Sequence, residues 1–120
     1  MEFNMLNTVP GKKLVITVES NEQWHGQPLY SAIVEKCRKG GVAGATVSNC
    51  VEGYGSHHVL HTTRLFSLSD NLPVRIEIVE TADRLDGVLA LLDGMLGKGL
   101  AVVCDVQILK AAGTASADTV

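Results

Sequence analysis

No Cys-x-x-Cys pair occurs in the chain, and its three cysteines, Cys37, Cys50 and Cys104, stand far apart. An odd count with that spacing signals neither a disulfide framework nor a thiolate zinc site, so the three are expected to be reduced and mostly buried. There is no basic cluster beyond Lys12-Lys13 and the stretch from Lys36 to Lys39. Ten basic against thirteen acidic residues, a net charge of −3, give no electrostatic footprint for a nucleic-acid backbone, and nucleic acid is set aside as a partner. No apolar run approaches the roughly 20 residues that span a bilayer, and Met1 to Pro10 lacks the basic start and apolar core of a signal peptide. The expectation is a cytoplasmic protein without membrane insertion.

What is present suits a single core. At 120 residues and 46% apolar composition, one domain burying about two-thirds of its unfolded surface is expected. Val15, Ile16, Thr17 and Val18 lie within a first strand from Lys13 to Glu19, because successive β-branched residues favour the pleat. Pro28 pre-sets a helical start, Leu29, Ile33, Val34 and Cys37 recur at helical spacing, and Gly40-Gly41 supplies left-handed stop residues. Thr46 to Val51 reads as a second strand. Val74, Ile76 and Ile78 alternate with Arg75 and Glu77 in a third, entered at Pro73. Thr81 is a plausible N-cap for a second helix carrying the stripe Leu85, Val88, Leu89, Leu92 and Leu96, ended by Gly97 and Gly99. Valine-rich Leu100 to Leu109 makes the last strand.

The order strand, helix, strand, strand, helix, strand, with "LVITVE" and "RIEIVE" opening two similar halves, is the ferredoxin-like α+β plan: a four-stranded antiparallel sheet with two helices on one face. The other face is expected to carry Val15, Thr17, Glu19, Arg75, Glu77, Val79, Val103 and Asp105, neither fully polar nor fully apolar, and to be used against another subunit. Gly87 and Gly94, seven residues apart inside the second helix, point to close backbone packing. The domain is placed at 12–110, after an N-terminal extension at 1–11, with a mobile loop at about 54–70 and a small, polar, flexible tail at 111–120.

The runs "PLYSAIVEKCRKGGVAGATV", "EGYG" and "LSDNLPVRIEIVE" resemble the PII-like signalling proteins of the group catalogued as domain of unknown function 190, from about Lys12 to Leu109. The resemblance implies a homotrimer holding adenine nucleotides in clefts between subunits. It assigns to nucleotide binding Thr46 in the second strand, Gly53, Tyr54 and Gly55 at the base of the loop, and Gly97, Lys98 and Gly99 in the turn after the second helix. Arg64 is a further source of positive charge for phosphate. The arginine and glutamine that follow the corner in PII proteins are replaced here by Ser56 and His57, and Lys98 sits one position from the phosphate-binding lysine, so AMP or ADP is expected rather than ATP. A small anion such as bicarbonate is a family-derived second ligand, and the loop would signal to a protein partner, a membrane transporter among the candidates. No obligatory cofactor is implied.

The residues themselves carry part of this. Glycines at positions 53, 55, 97 and 99 let backbone approach a ligand and present N–H groups to phosphate. A helix stop is the plainer account of Gly97 and Gly99, and a strand-end bulge an equal one for Gly53 and Gly55. The alternative function is a copper- or zinc-binding trimer of the same fold using His57, His58 and His61, of which His57 and His61 share a face if the loop coils into a helix. An enzyme is not expected: Gly55-Ser56-His57 lacks a strand-to-helix elbow, and Glu52 and Asp70 have no evident partner that would shift their pKa values. Trp24 and His25 form one further candidate pair.

Overall fold

The computed structural model describes residues 6–55, 57–62 and 71–111, and among these the side chains of Leu6, Lys98, Lys110 and Ala111 are not described. Strand β1 (Leu6–Glu19) is followed by a two-residue ribbon, β2 (Gln23–Trp24) and β3 (Gln27–Pro28), and by helix α1 (Leu29–Lys39). Strand β4 (Ala45–Asn49) leads to a second small ribbon, β5 (Glu52–Gly53) and β6 (His61–Thr62). Strand β7 (Pro73–Thr81), helix α2 (Leu85–Leu91) and strand β8 (Leu100–Ala111) complete the order. The main sheet runs β4-β7-β1-β8, every neighbour antiparallel. This is the ferredoxin-like α+β arrangement.

Alternation explains the core. Leu14, Ile16 and Val18 of β1 and Val74, Ile76 and Ile78 of β7 all point to the helix side and are buried with Leu29, Ala32, Ile33 and Cys37 of α1 and Val88, Leu92 and Met95 of the second helical region. Each leucine, isoleucine, valine or methionine among them contributes about 1.5 to 3 kcal/mol on burial. Cys37 is buried, and desolvation pushes its thiol pKa up; Cys50 is half-buried and Cys104 exposed, so burial of the three is not uniform.

Several boundaries differ from the sequence-based expectation. Strand β1 begins at Leu6 rather than Lys13, because its first part pairs along β8, from Leu6 opposite Ala111 to Lys12 opposite Asp105. The second helix enters through a 3-10 turn at Ala82–Arg84, and Thr81 makes no side-chain capping bond. It ends at Leu91 because Gly94 takes a left-handed φ of +82°, turning the chain so that the Met95 amide donates to the Leu92 carbonyl at 2.9 Å. Gly94 is therefore outside the helix, and nothing stands within 4 Å of a Cβ built at Gly87, so no close helix packing uses the pair. At the end of α1 only Gly41 (φ +78°) is left-handed.

The open face also needs one correction. The register sets Val103 opposite Leu14 and Asp105 opposite Lys12, which places both on the helix side of the sheet, and Asp105 pairs there with Lys12. Val102 and Cys104, opposite Val15 and Lys13, hold the open face instead. A near-continuous apolar strand has no alternation from which its parity can be read. Of the expected loop, residues 56 and 63–70 lie outside the described residues, as do residues 112–120 of the expected tail.

Candidate functional site

The glycine–tyrosine–glycine corner grows out of the end of β4. The Cys50 amide donates to the Pro73 carbonyl at 2.9 Å, carrying the pairing of β4 with β7 one residue further. The chain then enters β5, which pairs with β6 so that Glu52 faces Thr62 and Gly53 faces His61. A Cβ at Gly53 would stand 3.0 Å from Pro73 Cγ, so glycine lets this ribbon lie against the entry of β7. Tyr54 is 69% exposed and stacks on His58 with ring centroids 5.5 Å apart. The Gly55 carbonyl accepts the His58 amide at 2.9 Å, and a Cβ at Gly55 would meet nothing within 4 Å, which leaves its backbone open to a ligand.

The glycine turn sits at the same end of the sheet. A 3-10 turn at Leu96–Lys98 passes through Gly99 into β8, whose Leu100 lies opposite Thr17 of β1. Gly99 is held tightly: a Cβ there would collide with the Thr17 carbonyl oxygen, whereas nothing lies within 4 Å of a Cβ at Gly97. Gly99 is thus required by the sheet, and Gly97 is the glycine free to face a ligand. Two parts of the expected cleft, the corner and the turn, lie on either side of the end of β1, where Glu19 faces Pro73 and Thr17 faces Leu100.

Thr46 stands three residues before the end of β4, exposed and opposite Glu77 on the open face. There the Lys13 ammonium is 3.2 Å from Glu77 Oε1, and Arg75 Nε donates to Glu77 Oε2 at 2.9 Å. Lys13 and then Arg75 hold the Glu77 carboxyl below its ordinary range. Arg64 and Ser56 lie outside the described residues, as does the side chain of Lys98.

The loop histidines separate rather than converge. His57 is exposed, His58 is exposed with a left-handed φ of 58°, and His61, in β6, points its Nε2 at Glu19 Oε1 at 3.4 Å. His57 and His61 share no helical face, because the described segment is a turn and a strand. No cluster of three histidine, cysteine, aspartate or glutamate side chains is gathered among the described residues. Trp24, at the end of β2, and His25, in the turn to β3, stack with ring centroids 4.6 Å apart and nearly parallel.

One polar cluster escaped the sequence reading. Glu19 Oε1 receives both His61 and the Asn71 side-chain amide, while Ser20 exchanges hydrogen bonds with Leu72: its amide donates to the Leu72 carbonyl at 2.9 Å and its hydroxyl accepts the Leu72 amide at 3.1 Å. Asn71 Oδ1 is buried and has no partner among the described residues. Thr62, buried, donates to Glu52 Oε1 at 2.9 Å. The available signal was the glutamate that closes each of the similar strand sequences, Glu19 and Glu80. The second is likewise engaged, accepting the Ala43 amide at 3.0 Å and its neighbour Thr81's amide at 2.9 Å.

Comparison with known proteins bears on the family and the fold. The family model of DUF190, described as an uncharacterized ACR, matches residues 11–108. A UPF0166 protein of Aquifex aeolicus is 30% identical over 104 residues, 87% of this chain and 98% of its own. One from Methanocaldococcus jannaschii is 31% identical over 103 residues, covering 85% and 94%. Among solved structures, CPII of Thiomonas intermedia, a nitrogen regulatory PII-like protein bound to ADP, AMP and bicarbonate, superposes with a TM-score of 0.64 at 21% identity, covering 85% of this chain and 91% of its own. A putative PII-like signalling protein of Thermus thermophilus gives 0.55 at 18% identity, covering 88% and 93%.

Proposed function

The chain belongs to the DUF190 family of PII-like proteins, and from that premise we propose that it is a regulatory protein that binds an adenine nucleotide, AMP or ADP in preference to ATP. The observation that carries the reading is the placement of two glycine elements, the corner Gly53-Tyr54-Gly55 and the turn at Gly97, at one end of the sheet with free space beside Gly55 and Gly97. Exposed backbone amides at such positions suit phosphate oxygens, and Lys98 and Arg64 would supply the charge. Thr46, exposed on the open face, would contribute to a cleft shared with a neighbouring subunit in a homotrimer built on the open sheet faces. Bicarbonate, which CPII holds together with ADP and AMP, is the second ligand in this proposal.

In this reading the protein acts by binding rather than by catalysis. Ligand at the loop base orders the loop, and the ordered loop engages or releases a protein partner, an order–disorder switch. Domain limits of 12–110 go with it. The separation of His57, His58 and His61 disfavours the metal-binding alternative. Calorimetry with AMP, ADP and ATP, with and without bicarbonate, tests the proposal: binding at micromolar to millimolar strength, roughly −8 to −4 kcal/mol, is expected. No heat with any adenine nucleotide, with tight copper or zinc binding instead, would overturn it.

A further inference from the structure

Glu19 joins three separate parts of the chain. Its backbone closes β1 opposite Pro73, its carboxylate receives His61 of β6, and the same oxygen receives Asn71, just before β7. His61 in turn faces Gly53, the first residue of the corner, and Gly53 lies on Pro73. The contact between Glu19 and His61 therefore closes a ring, Glu19 to His61 to Gly53 to Pro73 and back, that fixes where the corner stands relative to the sheet. We propose that this contact is a proton-dependent joint that positions the Gly53–Gly55 corner, firm when the His61 imidazole is charged and looser when it is neutral.

The chemistry follows from the imidazole. Histidine changes charge near neutral pH, and only the charged ring forms an ion pair with a carboxylate. The His61 side chain is 20% exposed and that of Glu19 43%, so the pair is shielded in part and its strength is modest. Among the described residues, the other titratable groups on the neighbouring elements are placed as follows. Glu22 accepts the Glu19 amide at 3.2 Å, Glu52 accepts Thr62 on the other face of the β5–β6 ribbon, the Cys50 thiol is half-buried, and His58 stacks on Tyr54. His57 is exposed in the turn.

Both residues are positioning residues, and the inference rests on the reading of the corner as a ligand site. The direct test is independent of ligand: amide hydrogen exchange of Gly53 and His61 in the full-length protein, corrected for intrinsic rates, from about pH 8 to about pH 5.5. Protection should rise about two- to fivefold on acidification, stay flat in Glu19→Gln and in His61→Gln, and stay high throughout in His61→Lys, which carries its charge at every pH tested. Flat protection in the unsubstituted protein, or the same rise in Glu19→Gln, would overturn the joint. Calorimetry with ADP at the two ends of the range separates the two proposals. Affinity that follows protection supports positioning of the site, and affinity that ignores a confirmed rise in protection overturns it. Failure of ADP to bind at either pH, with the rise in protection intact, sinks the nucleotide reading and leaves the joint standing.

Discussion

Gly99 stands against Thr17 with no room for a side chain: a Cβ would collide with the Thr17 carbonyl oxygen and stand 3.0 Å from Val18 Cγ1. Backbone in the middle of a four-stranded sheet cannot yield as a flexible side chain does, so Gly99→Ala is expected to destabilise by about 1 to 3 kcal/mol. Gly97→Ala, built into open space, should be neutral to within about 0.5 kcal/mol or slightly stabilising. Urea midpoints of the two variants are the check, and equal midpoints contradict the assignment of Gly99 to the sheet.

Gly55 offers a cleaner probe of the ligand site, because nothing lies within 4 Å of its Cβ position and its φ is not left-handed. Gly55→Val should leave the unfolding midpoint in place while weakening ADP binding, since the added side chain blocks approach to the backbone. Lys98→Ala should cost about ten- to hundredfold in affinity, the worth of a charge-assisted hydrogen bond of about 1.5 to 3 kcal/mol. That loss should grow with phosphate number and shrink in high salt. Unchanged ADP affinity in both variants, measured by calorimetry, would reject the pocket.

The open sheet face carries its own reporter. Cys104 is exposed beside Val102, opposite Lys13, while Cys37 is buried in the core. If the open faces meet in a trimer, labelling of Cys104 by a thiol reagent should be fast at high dilution and slow at micromolar concentration and above. Cys37 should stay unlabelled at both until the protein unfolds, its thiol being both buried and raised in pKa. Light scattering that gives the 12.8 kDa monomer, with Cys104 equally reactive throughout, would reject assembly on this face.

Glu77 sets a pH dependence with a definite sign. Hydrogen bonds from Lys13 and Arg75 lower its folded-state pKa from the ordinary 4.5, so its contribution to stability is complete above that value and is lost as pH falls through the lower folded value. Urea unfolding across that acidic range should therefore show stability declining more shallowly in Glu77→Gln than in the unsubstituted protein. Glu35, lowered by Arg38 and Lys39, contributes with the same sign, so the flattening is partial. Identical slopes would remove Glu77 from the acid response.

Legibility of this fold depended on local signals. Strand β7 could be placed from sequence because Val74, Ile76 and Ile78 alternate with Arg75 and Glu77, and the alternation is what burial uses. The parity of β8 could not, since Val102 and Val103 are alike in chemistry and only pairing with β1 distinguishes them. The early start of β1 was hidden by Pro10-Gly11, which look like breakers yet lie in the sheet opposite Gln107 and Val106. The corner at Gly53-Tyr54-Gly55 was visible as a contiguous motif. The cluster of Glu19, His61 and Asn71 was not, because its members come from three distant segments and meet only once the sheet has formed.

The pairing of Leu6 with Ala111 means that the described chain enters and leaves the sheet at one place, at the far end from the corner and the glycine turn. Chain order is then nearly irrelevant to the architecture: a short linker across that point would close the backbone into a circle, and new ends could be opened at the exposed turn around Gly41 without cutting a strand. The same geometry makes that end a neutral handle. A surface tether or fluorophore attached there would stand a full strand length from Gly55 and Gly97, so the molecule can be immobilised or tracked without touching the region where it is proposed to work.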